Sequence, residues 1–308
     1  LTNLPQPPLP PDPYGAVPWA RPAGVSPRFG QILPPRPAVL SGISTGQAWG
    51  GLGLTVVMLV LTLVLLPFGL TMVYYFLEGS PRDPDWQPPM APLILIAKSI
   101  SAAMAAALLV GLARGWRTSM SEFGVRADGL GAQLLFVAPT LIGVFMAMFA
   151  IGIPLLFFLA ATGQEEEMTK RVDFIQGLEL PNLWVTIISM ILVATHEEIL
   201  FRGLAIPILR RLGLPVWAAI VIISVTFGSL HFEQGWSGMI QITGVSLVLG
   251  TAFVLTRSLL TVILAHAAFN VIGTELAKYA IPLQDALSEP ATQPAAEALG
   301  LLLAFAGG

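Results

Sequence analysis

The chain has 308 residues, of which 55% are hydrophobic and only 11% charged, and its mean hydropathy is +0.78; a soluble domain carries about 25% charged residues. This composition excludes a soluble globular protein. Fifteen basic against 18 acidic residues give a net charge of -3, too sparse and too balanced for a nucleic-acid-binding surface, and the absence of cysteine excludes disulfides, thiolate metal sites, a cysteine nucleophile and S-acylation of this chain.

Residues 1–48 hold 12 of the 26 prolines and have no apolar period, so they are expected to form a proline-rich, extended or disordered tail. They contain no basic start followed by an apolar core, and no signal peptide is expected there. From Trp49 onward the chain is a series of apolar runs long enough to cross a hydrocarbon layer of about 30 Å as helices of about 20 residues. Seven are expected, over residues 50–76, 90–113, 131–161, 183–209, 215–232, 238–256 and 258–279. Unpaired backbone polar groups cannot face lipid, and the runs lack strand alternation, so the fold class is an all-α polytopic membrane bundle. Trp49, Trp86, Trp116, Trp184, Trp217 and Trp236 fall at or near run ends, as do Tyr74, Tyr75 and Tyr279, in the manner of an aromatic belt. Residues 295–308 are apolar but too short for an eighth crossing, and read as an interfacial segment.

Basic residues set the expected orientation. With the tail in the cytoplasm the inner set is Arg21, Arg28, Arg36, Arg114, Arg117, Arg126, Arg202, Arg210, Arg211 and Arg257, against Arg82, Lys170, Arg171 and Lys278 outside. The amino terminus is therefore expected inside and, with an odd number of spans, the carboxyl terminus outside. The segment between residues 163 and 181 has a mixed pattern and receives no assignment. Lys98, within the second run, is expected to snorkel from its own helix.

The fourth run places Glu197, Glu198 and Arg202 in an otherwise apolar helix. Three ionised residues at a bilayer centre cost roughly 7 to 10 kcal/mol, whereas the fourteen Leu, Ile, Val and Phe side chains of the run contribute only about 4 to 8. That helix must face a protein interior or a watery cavity. Glu198 and Arg202, at i and i+4, can pair on one face as a structural lock. Glu197 points about 100° away and has no local partner, which makes it a candidate functional carboxylate. Pro207 is expected to end this helix. His196, beside the pair, reads as a polar neighbour exposed to a cavity or bonded to backbone.

The remaining histidines lie in the fifth and seventh runs, His231 four residues after Phe227 and His266 four before Asn270. At a rise of 1.5 Å per residue from the inner helix ends, Glu197 lies about 20 Å deep, His231 about 24 Å and His266 about 14 Å, differences that tilt and side-chain reach absorb. A desolvated glutamate suits acid–base work, the imidazoles can hold a water or a divalent metal such as zinc, and the Asn270 amide can stabilise an oxyanion. This is a toolkit for hydrolysis without a covalent intermediate. Ser224, Ser229 and Thr226 near His231 have no readable orienting acid, so a serine nucleophile ranks lower. Glu275 can pair with Lys278 or border a substrate entrance.

Three short motifs, Glu197-Glu198-Ile-Leu-Phe-Arg202, Phe227-Gly-Ser-Leu-His231 and His266-Ala-Ala-Phe-Asn270, resemble in order and spacing those of the CPBP family of membrane proteases, the CAAX protease and bacteriocin-processing group, also called the Abi or type II CAAX prenyl endopeptidase group. The resemblance covers about residues 183–275. It implies an intramembrane endopeptidase in which Glu197 activates water with help from His231 and His266, Asn270 serves as oxyanion partner, and Glu198 and Arg202 shape the site. It leaves open whether Glu197, His231 and His266 hold a metal. It also implies a peptide or protein substrate at the membrane, prenylated in the CAAX case, membrane lipid as a partner, and residence in a membrane expected to be a bacterial plasma membrane. The domain organisation is then a tail (1–48), N-terminal spans and loops (49–182), a catalytic core (183–280) and a C-terminal tail (281–308). Two other readings stand beside it: a non-catalytic scaffold or immunity-type protein of the same architecture, and a proton-coupled carrier using Glu197 and Glu198, against which there is no repeated half-structure.

Overall fold

The computed structural model of the protein describes residues 40, 42–78, 90–178 and 180–287. Most of the expected tail, the acidic stretch around Asp83 and Asp85, Trp86 and the interfacial segment 295–308 lie outside the described residues. Within them there are helices and no strand: α1 (Thr45–Val60), a π turn (Leu61–Leu65), α2 (Leu66–Glu78), α3 (Met90–Gly115), a 3-10 turn (Met120–Phe123), α4 (Leu130–Leu135), α5 (Val137–Thr162), α6 (Glu165–Gln176), α7 (Leu183–Glu198), a second π turn (Ile199–Ala205), α8 (Ile206–Arg211), α9 (Val216–Ser229), a 3-10 turn (Phe232–Gln234), α10 (Gly235–Thr256) and α11 (Leu259–Leu287). The first helix begins ahead of its apolar run because Ser44 and Gln47 form a reciprocal capping box.

Six stretches are long and apolar enough to cross a membrane: Thr45–Phe76, Pro92–Gly115, Leu130–Thr162, Leu183–Arg211, Phe232–Thr256 and Leu259–Lys278. The fifth expected span, residues 215–232, differs. Helix α9 ends at Ser229 after 14 residues, about 21 Å of rise against a hydrocarbon layer of about 30 Å. The chain then turns back through Leu230–Gln234 and returns as α10. Gly228 permits that hairpin: a methyl group there would run into the Thr243 hydroxyl and, at 2.7 Å, the Met239 carbonyl of α10, so only glycine lets the two backbones approach so closely.

Burial separates the helices into two groups. Half of the spanning window of α7–α8, of α10 and of α11 is buried, against 6%, 28% and 17% for the first three spans. The motif-bearing helices therefore form the centre of the bundle. Helix α7 packs on α3 and α11, while α10 packs on α9, α5 and α11. The outer spans present Val56, Val57, Val64, Phe68, Ile142, Met146 and Phe157 to the surroundings, as lipid-facing surfaces require. Trp49, Trp184, Trp217 and Trp236 stand exposed at helix starts, in keeping with an aromatic belt.

Both π turns stop two residues short of a proline, Pro67 and Pro207. The hydrogen-bond register thus changes where proline has no N–H to offer, and the chain continues as a helix. Pro207 accordingly does not terminate the fourth span, which runs on to Arg211. The segment without a sequence assignment contains α6, which packs on α5, α10, α11 and the 3-10 turn Phe232–Gln234.

Replacing Gly228 by alanine is expected to lower the thermal midpoint in detergent, because overpacking there costs about 1 to 3 kcal/mol. Gly69→Ala, in a position with open space around it, should leave the midpoint unchanged or raise it. Thermal unfolding of the two variants beside the parent protein checks the contrast.

Candidate active site

The second π turn immediately follows the two glutamates, and π turns inside helices recur at functional sites. Glu198 and Arg202 are both completely buried and pair at 2.9 Å between Oε1 and Nη1. Arg202 does not snorkel to an aqueous surface. Its Nη2 donates to the Ser246 hydroxyl at 2.7 Å and to the Ser246 carbonyl at 3.2 Å on α10, and its guanidinium carbon stands 4.8 Å above the Phe227 ring from α9, a cation–π distance. One arginine thereby ties three of the central elements together.

His266 completes the network from α11. Its Nδ1 lies 2.7 Å from the same Glu198 oxygen that receives Arg202. A carboxylate paired with arginine accepts, so Nδ1 carries the proton and Nε2 is left free. That Nε2 faces Glu197 Oε2 at 3.8 Å, too far for a direct hydrogen bond. Glu197 is 7% exposed and its Oε2 has no hydrogen-bond partner. The adjacent glutamates therefore differ: Glu198 is engaged through Oε1 by Arg202 and His266 and keeps only Oε2 without a partner, whereas Glu197 has no ion pair with an arginine among the described residues and presents its unsatisfied Oε2 beside a histidine nitrogen.

His231 approaches from the hairpin turn. Its Nδ1 is 2.8 Å from the Phe227 carbonyl; a carbonyl can only accept, so this ring also keeps its proton on Nδ1 and leaves Nε2 free. The Phe227 ring lies 4.7 Å from His231 and 6.0 Å from His266 between centroids. Glu197 is within electrostatic reach of His231, His266, His196 and Lys98. Asn270 sits one turn along α11 from His266, half-buried, without a hydrogen-bond partner among the described residues. The structure thus brings Glu197, Glu198, Arg202, His231 and His266 together, with Asn270 at the edge.

Several contacts carry no signature in the sequence. His196 is fully buried and its Nε2 is bonded to Thr62 Oγ1 at 2.8 Å, in the first π turn, so its partner is a side chain rather than backbone or cavity. Ser246 and Thr62 are neutral polar residues in apolar runs, and only their intramembrane position marks them. Lys98 is half-buried and forms no ion pair with a described residue. Glu275 pairs with Lys278 at 2.7 Å. At the start of α11, the Ser258 hydroxyl caps the Thr261 N–H at 3.0 Å and donates to Gln133 Oε1 at 2.7 Å, which fixes that helix end and hence the height of His266.

Helix α6 covers the hairpin turn. Glu167 accepts the Ser237 N–H at 2.9 Å and pairs with Lys170 at 3.0 Å. Burial raises the affinity of this carboxyl for its proton, but the Ser237 N–H and Lys170 outweigh it and hold Glu167 below the ordinary carboxylate range. The contribution of this contact is accordingly present above the ordinary carboxylate range and fades as pH falls through the depressed value. Gly235, at φ +76°, is required beneath the Glu167 carboxylate, where a side chain would clash. One turn on from Glu167, Arg171 is 7% exposed, and burial pushes its guanidinium down to about 9.

The donor atoms left free, Glu197 Oε2 and the two histidine Nε2 atoms, are of kinds that bind zinc, and both rings are oriented through Nδ1 as metal-bound histidines usually are. Their separation does not fit: among the described residues no three His, Asp or Glu side chains stand close enough together to hold an ion.

A bundle of helices long and apolar enough to span a membrane, with two glutamates, an arginine and two oriented histidines at its centre, is an integral membrane protein. Residues 179–272 match the family model described as type II CAAX prenyl endopeptidase Rce1-like, a membrane protease family and the one that the three motifs resemble. The match runs from just before α7 into α11 and includes Glu197, Glu198, Arg202, His231, His266 and Asn270. Comparison with curated proteins and with solved structures gave no match.

Removing one partner of the buried pair, as in Arg202→Met or Glu198→Leu, is expected to destabilise the protein by about 3 to 5 kcal/mol, since it strands the other charge. The double variant should lose less than the sum of the two. Thermal unfolding across the double-mutant cycle measures this coupling.

Proposed function

We propose that the protein is an intramembrane endopeptidase that hydrolyses a peptide bond with water activated by Glu197. The observation that carries this reading is the unpartnered Glu197 Oε2 lying 3.8 Å from His266 Nε2. Two acceptors at that spacing can share one water, which donates one hydrogen to each and turns its lone pairs toward a carbonyl carbon. As the oxygen attacks, Glu197 takes the proton, and it later returns that proton to the leaving amine. The neighbouring Glu198 keeps the His266 proton on Nδ1. The Asn270 amide is within one helical turn of His266 and serves as donor to the developing oxyanion. His231 Nε2, freed by the Phe227 carbonyl, is a second acceptor for a proton or for a substrate N–H.

Glu197→Gln keeps the shape of the site and removes the base. It is expected to reduce cleavage of a mixed peptide library, with and without prenyl groups, by at least the 10²- to 10⁴-fold typical of a general base, while the variant inserts and unfolds like the parent. A variant that still cleaves overturns the proposal in favour of a scaffold. Activity that survives a chelator fits glutamate catalysis, and activity lost to the chelator and restored by zinc overturns the metal-free form of the proposal. Retained prenyl dependence in the library identifies a CAAX-type substrate.

The same reading puts the amino terminus in the cytoplasm of a bacterial cell. With Arg202 withdrawn into the network, nine of the ten inner basic residues still count toward that side. The native chain has no cysteine, so single cysteines report cleanly: one at Thr118, between α3 and α4, should react from the cytoplasmic side, and one at Gln164, between α5 and α6, only from the opposite side.

A further inference from the structure

Arg171 is a buried cation that the acid–base network does not use. Its Nη1 donates to the neutral Gln241 Oε1 of α10 at 3.1 Å and lies 3.9 Å from the Met148 sulfur of α5, and its Nε has no partner. No carboxylate among the described residues pairs with it. Glu167 stands at the i−4 position, where a helical ion pair would form, yet it turns to Lys170 and to the start of α10. Guanidinium groups removed from water without an anion are costly and destabilising unless something else offsets the penalty.

The position of this cation is informative. Helix α6 lies across the 3-10 turn that follows His231, and Arg171 is within electrostatic reach of His231. In that turn Gln234 has a buried amide oxygen that also lacks a partner. A planar cation with no counter-ion among the described residues and an acceptor with no donor therefore lie on the two elements that meet beside a site histidine. A ligand that satisfies both carries a carboxylate for the guanidinium fork and an N–H for the amide oxygen. The terminal segment of a peptide has both groups.

The geometry points to Arg171 as a binding site for a carboxylate of the peptide substrate, on the α6 side of the acid–base centre. This inference rests on the peptidase reading and specifies how that site selects its substrate. An arginine fork matches a carboxylate in a bidentate manner that lysine cannot reproduce. The free protein keeps the cation buried against neutral neighbours, so the substrate anion replaces no existing ion pair when it arrives. The peptide is then fixed at one end by charge.

The test uses the full-length protein in detergent and peptides of one sequence ending either in a free carboxylate or in a carboxamide. The parent protein is expected to favour the acid form in kcat/KM by about tenfold or more, mainly through KM, as befits a buried charge-assisted contact. Arg171→Gln should abolish that preference while cleaving the amide form like the parent, and Arg171→Lys should keep only part of it. A parent protein with no acid preference, or an Arg171→Gln variant that retains one, overturns the inference. An amide-ended peptide bearing a terminal Glu side chain that regains the preference still supports the site and assigns the anion to the side chain. If the parent cleaves neither form, the peptidase reading fails first. The carboxylate site is then read by thermal shift on Glu197→Gln: stabilisation by the acid peptide alone, lost in the double variant with Arg171→Gln, upholds it, and equal or absent shifts sink it.

Discussion

A charge carried into a hydrocarbon layer has to find its partner within the protein, and the centre of this bundle is arranged around that requirement. Arg202 is the group with the most to lose, being completely buried and permanently ionised. Its solution is to engage Glu198 on its own helix, Ser246 on α10 and the face of Phe227 on α9. Through Glu198 the network extends to His266 on α11. Four elements are thus held in register by polar contacts that have no aqueous alternative. In a medium where apolar surface gives little drive for helices to associate, such contacts and close packing determine which faces meet.

The consequence is a division of labour between adjacent carboxylates. Glu198 gives one oxygen, Oε1, to both Arg202 and His266, and by doing so it orients His266 and leaves the distal nitrogen of that ring free. Glu197, rotated to another face, inherits a histidine neighbour without the ion pair. Two identical side chains thereby acquire different chemistry from helix geometry alone. The π turn directly after them lets the strand of carbonyls change register while the helix carries on past Pro207, so the pair is presented from the middle of a continuous span.

Much of this was legible in the sequence because charge is rare here. Glu197, Glu198 and Arg202 stand out in an apolar run, and depth counted along each helix suffices to expect that His231 and His266 share their level. Neutral polar residues are another matter. Thr62, Ser246 and Gln241 can each bond their own helix or lie idle, and nothing local reveals that their partners are His196, Arg202 and Arg171. Hydropathy likewise overstates α9, since Leu230 and Phe232 continue the apolar run after the helix has ended, and the glycine contact that folds the chain back is tertiary. The helix α6 was hidden for the opposite reason. Its charges mask an apolar face, and Arg171, which reads as an outer-loop cation, is buried against α5 and α10.

The shortness of α9 has a bearing on the bilayer itself. A helix of 14 residues falls about 9 Å short of the usual hydrocarbon thickness, and such a mismatch is met by lipids that thin or tilt beside the protein. The turn that follows this short helix carries His231. Hydrophobic mismatch, which elsewhere only sorts proteins among membranes, here concerns the helix whose end presents a candidate site histidine.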